Sequence, residues 1–99
     1  MNMQQMLMQA QKMQRELQKA QNELKAKEFK VSKGGAVNVV VMGDKSIKSI
    51  DIDKDAFDAE NKEMVEEMIA LAINEALAQI DKESEEINEK ITGRPGGLY

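Results

Sequence analysis

The chain's 99 residues suffice for one domain with a modest core. Only Phe29, Phe57 and Tyr99 are aromatic, so that core must be aliphatic, drawn from Val, Ile, Leu, Ala and eight Met. There is no Cys and no His, which removes thiolate chemistry and disulfides together with the commonest general base and metal ligand.

The net charge of −4 hides an uneven split: residues 1–50 carry nine Lys/Arg against four Asp/Glu, and residues 51–99 five against fourteen. A polyanion responds to the local field of the basic half, whatever the sum.

The first element is a helix from about Asn2 to Lys25, roughly 35 Å long. Met3, Met6, Ala10, Met13, Leu17, Ala20 and Leu24 fall at alternating spacings of three and four, an unbroken heptad seam with no Gly or Pro inside it. So narrow a stripe fits one other helix. Leu7 and Met8 lie off the seam, which predicts wider burial at this end.

The period then changes to two. Phe29 and Val31 alternate with Glu28, Lys30 and Ser32, and Gly34-Gly35 supplies a turn. Val37 to Met42 is apolar on both faces except at Asn38, which predicts a central strand covered on both sides. Gly43-Asp44-Lys45 forms a second turn and Ser46 to Ile52 a third strand. Ile47 is out of phase with Ile50 and Ile52, the mark of a bulge or an edge position. These strands make a three-stranded antiparallel meander.

Asp53 to Glu60 is a polar connector, with Phe57 expected to pin it to the core. Asn61 is placed to cap a second helix that carries Glu63, Glu66 and Glu67 in its first turns. Met64, Val65, Met68, Ile69, Ala72, Ala76 and Ile80 form its broad apolar face. Beyond Ile80 the stripe narrows to Ser84, Ile87 and Ile91, so this half is expected to project as an arm. Gly93 suits the C-cap. The expected organisation is one α+β domain over residues 1–92, followed by a flexible Gly-rich tail over 93–99. A sheet face and arm seams that one chain leaves bare are most economically covered in a homodimer.

The longest apolar run, Met68 to Ile73, is too short to span a bilayer. No basic opening with an apolar run and cleavage site indicates a signal peptide. The sequence therefore reads as a cytoplasmic, non-enzymatic protein with no cofactor, metal, membrane or small-molecule partner.

The basic residues of the first helix form one stripe. Lys12, Arg15 and Lys19 recur at i, i+3 and i+7 opposite the seam, and Asn22 continues the row. Lys25, Lys27, Lys30 and Lys33 extend it toward the sheet, interrupted by Glu16, Glu23 and Glu28. Gln11, Gln18 and Asn22 on the same helix offer donors and acceptors for phosphates or base edges. The plainer account is a solvated face with Lys12–Glu16 and Lys19–Glu23 pairs. The acidic second helix, with Glu66, Glu67, Asp81, Glu83, Glu85, Glu86 and Glu89, would repel phosphates from a shared surface, so it must lie elsewhere or limit affinity.

Other signals are weaker. Asp51 to Asp55 looks like the start of an EF-hand loop, but Ala56 stands at the obligatory glycine and Lys62 at the bidentate glutamate. Asn74 reads as a structural hydrogen-bonding group. Gly34-Gly35 and Gly96-Gly97 lack the lysine and the strand-to-helix setting of a phosphate loop.

Taken in order, these segments resemble the YbaB/EbfC family of small bacterial nucleoid-associated proteins. The likeness rests on Met1-Asn2-Met3-Gln4-Gln5-Met6, Gln11-Lys12-Met13-Gln14, Gly35-Ala36-Val37-Asn38-Val39, Gly43, and Ile50-Asp51-Ile52-Asp53. It continues with Lys62-Glu63-Met64, Ala72-Ile73-Asn74-Glu75-Ala76 and the Gly-rich end. Arg94-Pro95-Gly96 departs from the family's more apolar Gly/Leu/Pro run. The resemblance implies a homodimer with projecting helical arms, double-stranded DNA as ligand, and effects on nucleoid organisation and gene expression. No helix-turn-helix signature is present, so weak sequence preference is expected.

The candidate phosphate-contacting residues are Lys12, Arg15, Lys19, Lys25 and Lys27, with Gln11 and Gln18 beside them. Two other classes stay open. A prefoldin-like holdase would use the Met-rich arm from Met1 to Met8, and a protein adaptor would dock through the acidic half.

Overall fold

A computed structural model describes residues 2–93. Its elements are α1 (Met3–Lys25), β1 (Glu28–Lys33), β2 (Val37–Met42), β3 (Ile47–Ile52), two short 3-10 turns (Lys54–Ala56 and Ala59–Asn61) and α2 (Lys62–Thr92). The expected α+β organisation is present, with the sheet in the order β1-β2-β3 and both pairings antiparallel. Residues 94–99, nearly all of the expected tail, lie outside the described residues.

Asn2 caps α1, its side-chain oxygen accepting the Gln5 N–H at 2.8 Å. Gln, Lys and Glu between the seam residues are strong helix formers and carry the helix to Lys25 without a break. There the β2–β3 turn meets it. Gly43 donates its N–H to the Lys27 carbonyl at 2.9 Å. A Cβ on Gly43 would stand 1.7 Å from the Leu24 carbonyl oxygen, so only glycine allows this approach.

The phase slip at Ile47 is a bulge. Val40 pairs with Ser49 but Val41 with Ile47, which leaves Lys48 as the extra residue. β3 is also an edge strand.

The core lies between the sheet and the first half of α2. Phe29, Val31, Val37, Val39 and Val41 meet Val65, Ala72, Ala76 and Ile80, with Leu24 of α1 closing one end. The alanines let α2 lie close to the strands. Helix α2 covers only one face of β2. Asn38, Val40 and Met42 on the other face are half-buried, and among the described residues the expected second cover is missing.

The end of α2 forms as expected, Gly93 taking a left-handed conformation (φ 72°) and donating its N–H to Glu89. Its start differs. Asn61 sits at the N-cap position but makes no capping bond, and its amide donates instead to the Ala56 carbonyl at 3.2 Å. Phe57 does not pin the connector: it is 79% exposed, turned outward by the 3-10 turns on either side. Asn74 is exposed and makes no side-chain hydrogen bond among the described residues, because it falls on the side of α2 opposite Ala72 and Ala76.

Beyond the sheet, α1 and the second half of α2 run antiparallel as a two-helix arm, and the molecule reaches 69 Å in its longest dimension. The Gln21 amide donates to the Ser84 carbonyl and to Asn88 Oδ1, while Ser84 Oγ donates back to Gln21 Oε1 at 3.2 Å. Only half of the heptad seam is covered. Leu24 is buried and Leu17 and Ala20 are half-buried, whereas Met3, Met6 and Met13 are exposed. Leu7 and Met8 are exposed too, contrary to the wider burial expected at this end. The reason is that α2 ends at Thr92 and does not reach them.

Candidate nucleic-acid interface

The helical period of α1 sets two faces. Seam residues turn toward α2, and the opposite face carries Gln5, Met8, Lys12, Arg15, Lys19 and Asn22. Two shallow, open depressions run along this outer face. One is lined by Gln5, Met8, Gln9, Lys12 and Arg15, the other by Arg15, Gln18, Lys19, Asn22, Glu23 and Ala26.

Lys12, Arg15 and Lys19 are exposed and, among the described residues, have no carboxylate within 4.0 Å. The Lys12–Glu16 and Lys19–Glu23 pairs of the plainer account are not among the ion pairs of the described residues. This is unsurprising, since an exposed i,i+4 pair gains only a few tenths of a kcal/mol, about what holding two long side chains costs. Lys12 to Lys19 covers about 10 Å of helix axis. That length matches roughly three phosphates of one strand at about 3.4 Å each. Gln11 and Gln18 are exposed beside this row, one turn or less from Lys12 and Lys19, and neither makes a side-chain hydrogen bond among the described residues.

Toward the sheet, the basic track changes character. The Lys27 ammonium sits 2.6 Å from Glu83 and 5.3 Å from the centre of the Phe29 ring. Lys33 pairs with Glu75 at 3.1 Å and Lys45 with Asp81 at 2.9 Å. Lys48 and Lys30 both bind Glu28, and Lys48 holds its carboxyl below the usual value of 4.5, first by hydrogen bond and then by charge. Asp44 is likewise held below 3.8, chiefly by the Ser46 hydroxyl and N–H, with a smaller contribution from the Lys25 charge. Lys25 is exposed and unpaired among the described residues. Of the five candidate cations, then, the structure sets Lys12, Arg15, Lys19 and Lys25 free on α1 and ties Lys27 to α2. Lys27 falls outside the cluster because Glu83, distant in sequence, reaches it only once the arm is formed.

The acidic residues divide in the same way. Asp81, Glu83 and Glu75 neutralise lysines of the sheet and turns. Ser84, Ile87, Asn88 and Ile91 are half-buried toward α1, so Glu86 and Glu89 fall on the far side of α2, with Glu85 beside them. Lys82 and Lys90 are interleaved there. The arm thus presents Lys12, Arg15 and Lys19 on one side, with Glu23 beside them, and Glu85, Glu86 and Glu89 interleaved with Lys82 and Lys90 on the other.

Met8 is the residue that charge counting passes over. It lies 63% exposed among the cations, beside Lys12 and Arg15, and its spacing of four and seven residues from them was the available signal. No group of three or more Asp/Glu among the described residues is arranged to hold a metal ion, and Asp53 accepts the Asp55 N–H as a turn cap. No described helix is long and apolar enough to cross a membrane.

Comparison with known proteins agrees in fold and in sequence. A crystal structure of an uncharacterized Helicobacter pylori protein, HP0035, superposes with a TM-score of 0.77, covering 94% of this chain and 99% of that one at 20% identity. A protein of Clostridium botulinum (strain Eklund 17B / Type B) named nucleoid-associated protein is 47% identical over 100 residues, 99% of this chain and 88% of the relative. One of the same name from Metamycoplasma arthritidis is 40% identical, covering 91% of this chain and 94% of the relative. A family model matches residues 1–95, and the chain belongs to the YbaB/EbfC DNA-binding family.

Proposed function

We propose that this chain is a nucleoid-associated protein that binds double-stranded DNA as a homodimer. It does so mainly through phosphates and with weak sequence preference, and so affects nucleoid organisation and gene expression. It works in the cytoplasm, on the nucleoid, without a catalytic role, cofactor or small-molecule substrate. The observation that carries this reading is the row of unpaired cations, Lys12, Arg15 and Lys19, on the outer face of the arm, backed by an acid-rich face on the opposite side. Lys25 is free too but lies about a third of a turn round α1 from the row, so the three cations of the row carry the main contact; Gln11 and Gln18 add hydrogen bonds, and Lys27 contributes through the position it gives the arm. The names of the bacterial relatives support the setting.

The homodimer reading rests on a bare apolar surface. Among the described residues, β3 has no strand neighbour on its outer edge. Beside it runs a groove of about 470 Å³ lined by Ile52, Ala56, Phe57, Val65 and Ile69 among others. Ile47 and Ile50 are 48% and 43% exposed on the same side. An apolar strip of this kind next to an open strand edge suits a second copy. Residues 1–92 act in this reading as one domain.

The test is fluorescence anisotropy of a labelled 30-bp duplex at two salt concentrations. Three cations from each of two chains make six phosphate contacts, which predict about a thousandfold loss of affinity between 50 and 200 mM salt. The double variant Lys12→Glu/Arg15→Glu should abolish binding and keep the oligomeric state. No saturable binding at 50 mM, or full binding by the double variant, refutes the reading.

A further inference from the structure

Half of the α1 seam has no partner among the described residues. Gln21 lies level with Ser84 and Asn88 of the antiparallel α2, so the end of α2 at Thr92 comes level with Met13 to Leu17. Met3, Met6 and Met13 are 85%, 57% and 40% exposed, while Leu17 and Ala20 on the same stripe are packed. The free stripe from Met3 to Met13 runs for about 15 Å.

We propose that the stripe Met3–Met6–Ala10–Met13 is a self-association site that pairs antiparallel with the same stripe of a second copy, linking the arm tips of neighbouring dimers. The link between dimers rests on the homodimer reading given above; the pairing of the stripes does not.

Three observations select a second copy as the occupant. First, the stripe continues, in unbroken heptad phase, the surface by which α1 already packs on a helix. Second, its spacing of three, four and three residues reads the same in both directions. A two-fold axis therefore sets Met3 against Met13 and Met6 against Ala10, a long side chain against a short one, as a self-complementary contact requires. Third, charge is absent where like copies would meet. In a chain that is 32% charged, no residue from Asn2 to Gln11 carries a side-chain charge, and Lys12 lies off the stripe. Leu7, Gln9 and Gln14, at the flanking positions, are neutral as well.

Each contact is short and weak in isolation. A dimer has two tips, and dimers held on one duplex meet at a high effective concentration, so the contacts act together. Phosphate binding and tip pairing then use opposite faces of the same helix and do not compete.

The absence of Cys in the full chain allows a direct test. Met6→Cys and Ala10→Cys chains are mixed in equal amounts and oxidised without DNA. The expected product is the disulfide between positions 6 and 10 of different chains, in excess over either homodisulfide and over an Asn22→Cys control on the opposite face. Sedimentation of the wild-type protein should show particles of four or more chains that grow with concentration. Met6→Gln should reduce them to two chains at unchanged helical content.

Homodisulfides in place of the mixed product, no disulfide above the control, or a mixed disulfide confined to two-chain particles would each overturn the proposal. So would cross-linking that appears only after residues 94–99 are removed, which would assign the stripe to the chain's own end. Ile50→Asp, run in parallel, separates the two ideas. It should reduce the particles to two chains and leave the mixed disulfide intact, whereas an unchanged mass points to failure of the β3 groove as an interface.

Discussion

Replacing Lys12, Arg15 and Lys19 by alanine one at a time should lower the salt dependence of DNA binding in equal steps, whereas Lys27→Ala should leave it unchanged. All four are exposed lysines or arginines in or beside α1, and sequence alone ranks them together. Their surroundings differ. The Lys27 ammonium is neutralised by Glu83 at 2.6 Å, while the other three have no carboxylate partner among the described residues. A cation already paired in the free protein releases no net counterion when it approaches a phosphate. Each free cation contributes about 0.9 to the slope of log affinity against log salt, and the proposed homodimer carries every site twice. The wild-type slope should therefore lie near −5.4, and each single alanine variant should move it by about 1.8. Titration of a labelled duplex from 50 to 200 mM salt resolves such steps readily. A Lys27→Ala slope shifted as far as that of Lys19→Ala would refute the reasoning, since it would mean that the Glu83 pair does not hold in solution.

Two further outcomes follow from local geometry. Gly43→Ala must push a methyl group toward the Leu24 carbonyl, against a backbone that cannot yield easily. It should cost at least about 1–3 kcal/mol, as overpacking does, and lower the thermal midpoint by roughly 4–8 °C per kcal/mol; calorimetry would check this. The acid limb of stability tests Glu28. Because its folded pKa lies below 4.5, its contribution is fully present above the unfolded value and is lost as pH falls through the folded one. The difference in melting temperature between wild type and Glu28→Gln should therefore persist at pH 6 and vanish in strong acid.

Much of the fold was legible because it rests on period. The heptad seam, the change to alternation at Phe29, the phase slip at Ile47 and the glycine after Thr92 are local patterns with local causes, and each element stands where they put it. What misled were inferences about what covers an apolar residue. Val37 to Met42 reads as a strand buried on both sides, and Phe57 reads as core, because hydrophobicity reports that a surface wants cover without saying which chain provides it. Leu7 and Met8 failed for the same reason. The candidate site was legible as a stripe, since i, i+3, i+7 spacing fixes a helix face. Which of its cations are free was not, because Lys27–Glu83 and Lys33–Glu75 depend on the register between distant elements. Asn61 shows a finer limit: its amide finds the Ala56 carbonyl only because the connector coils into two 3-10 turns.

The junction at Gly43 has a mechanical consequence. The β2–β3 turn presses on the last turn of α1, its N–H holds the Lys27 carbonyl, and Lys27 and Lys45 strap the same corner to Glu83 and Asp81 on α2. The arm is therefore a cantilever built into the sheet at its root. Its bending stiffness comes from two helices side by side, and its pointing direction is set before any ligand arrives. Little backbone freedom remains to be frozen on binding. In an encounter with DNA the compliant body is then the duplex, and the work of fitting falls on its bending and groove width.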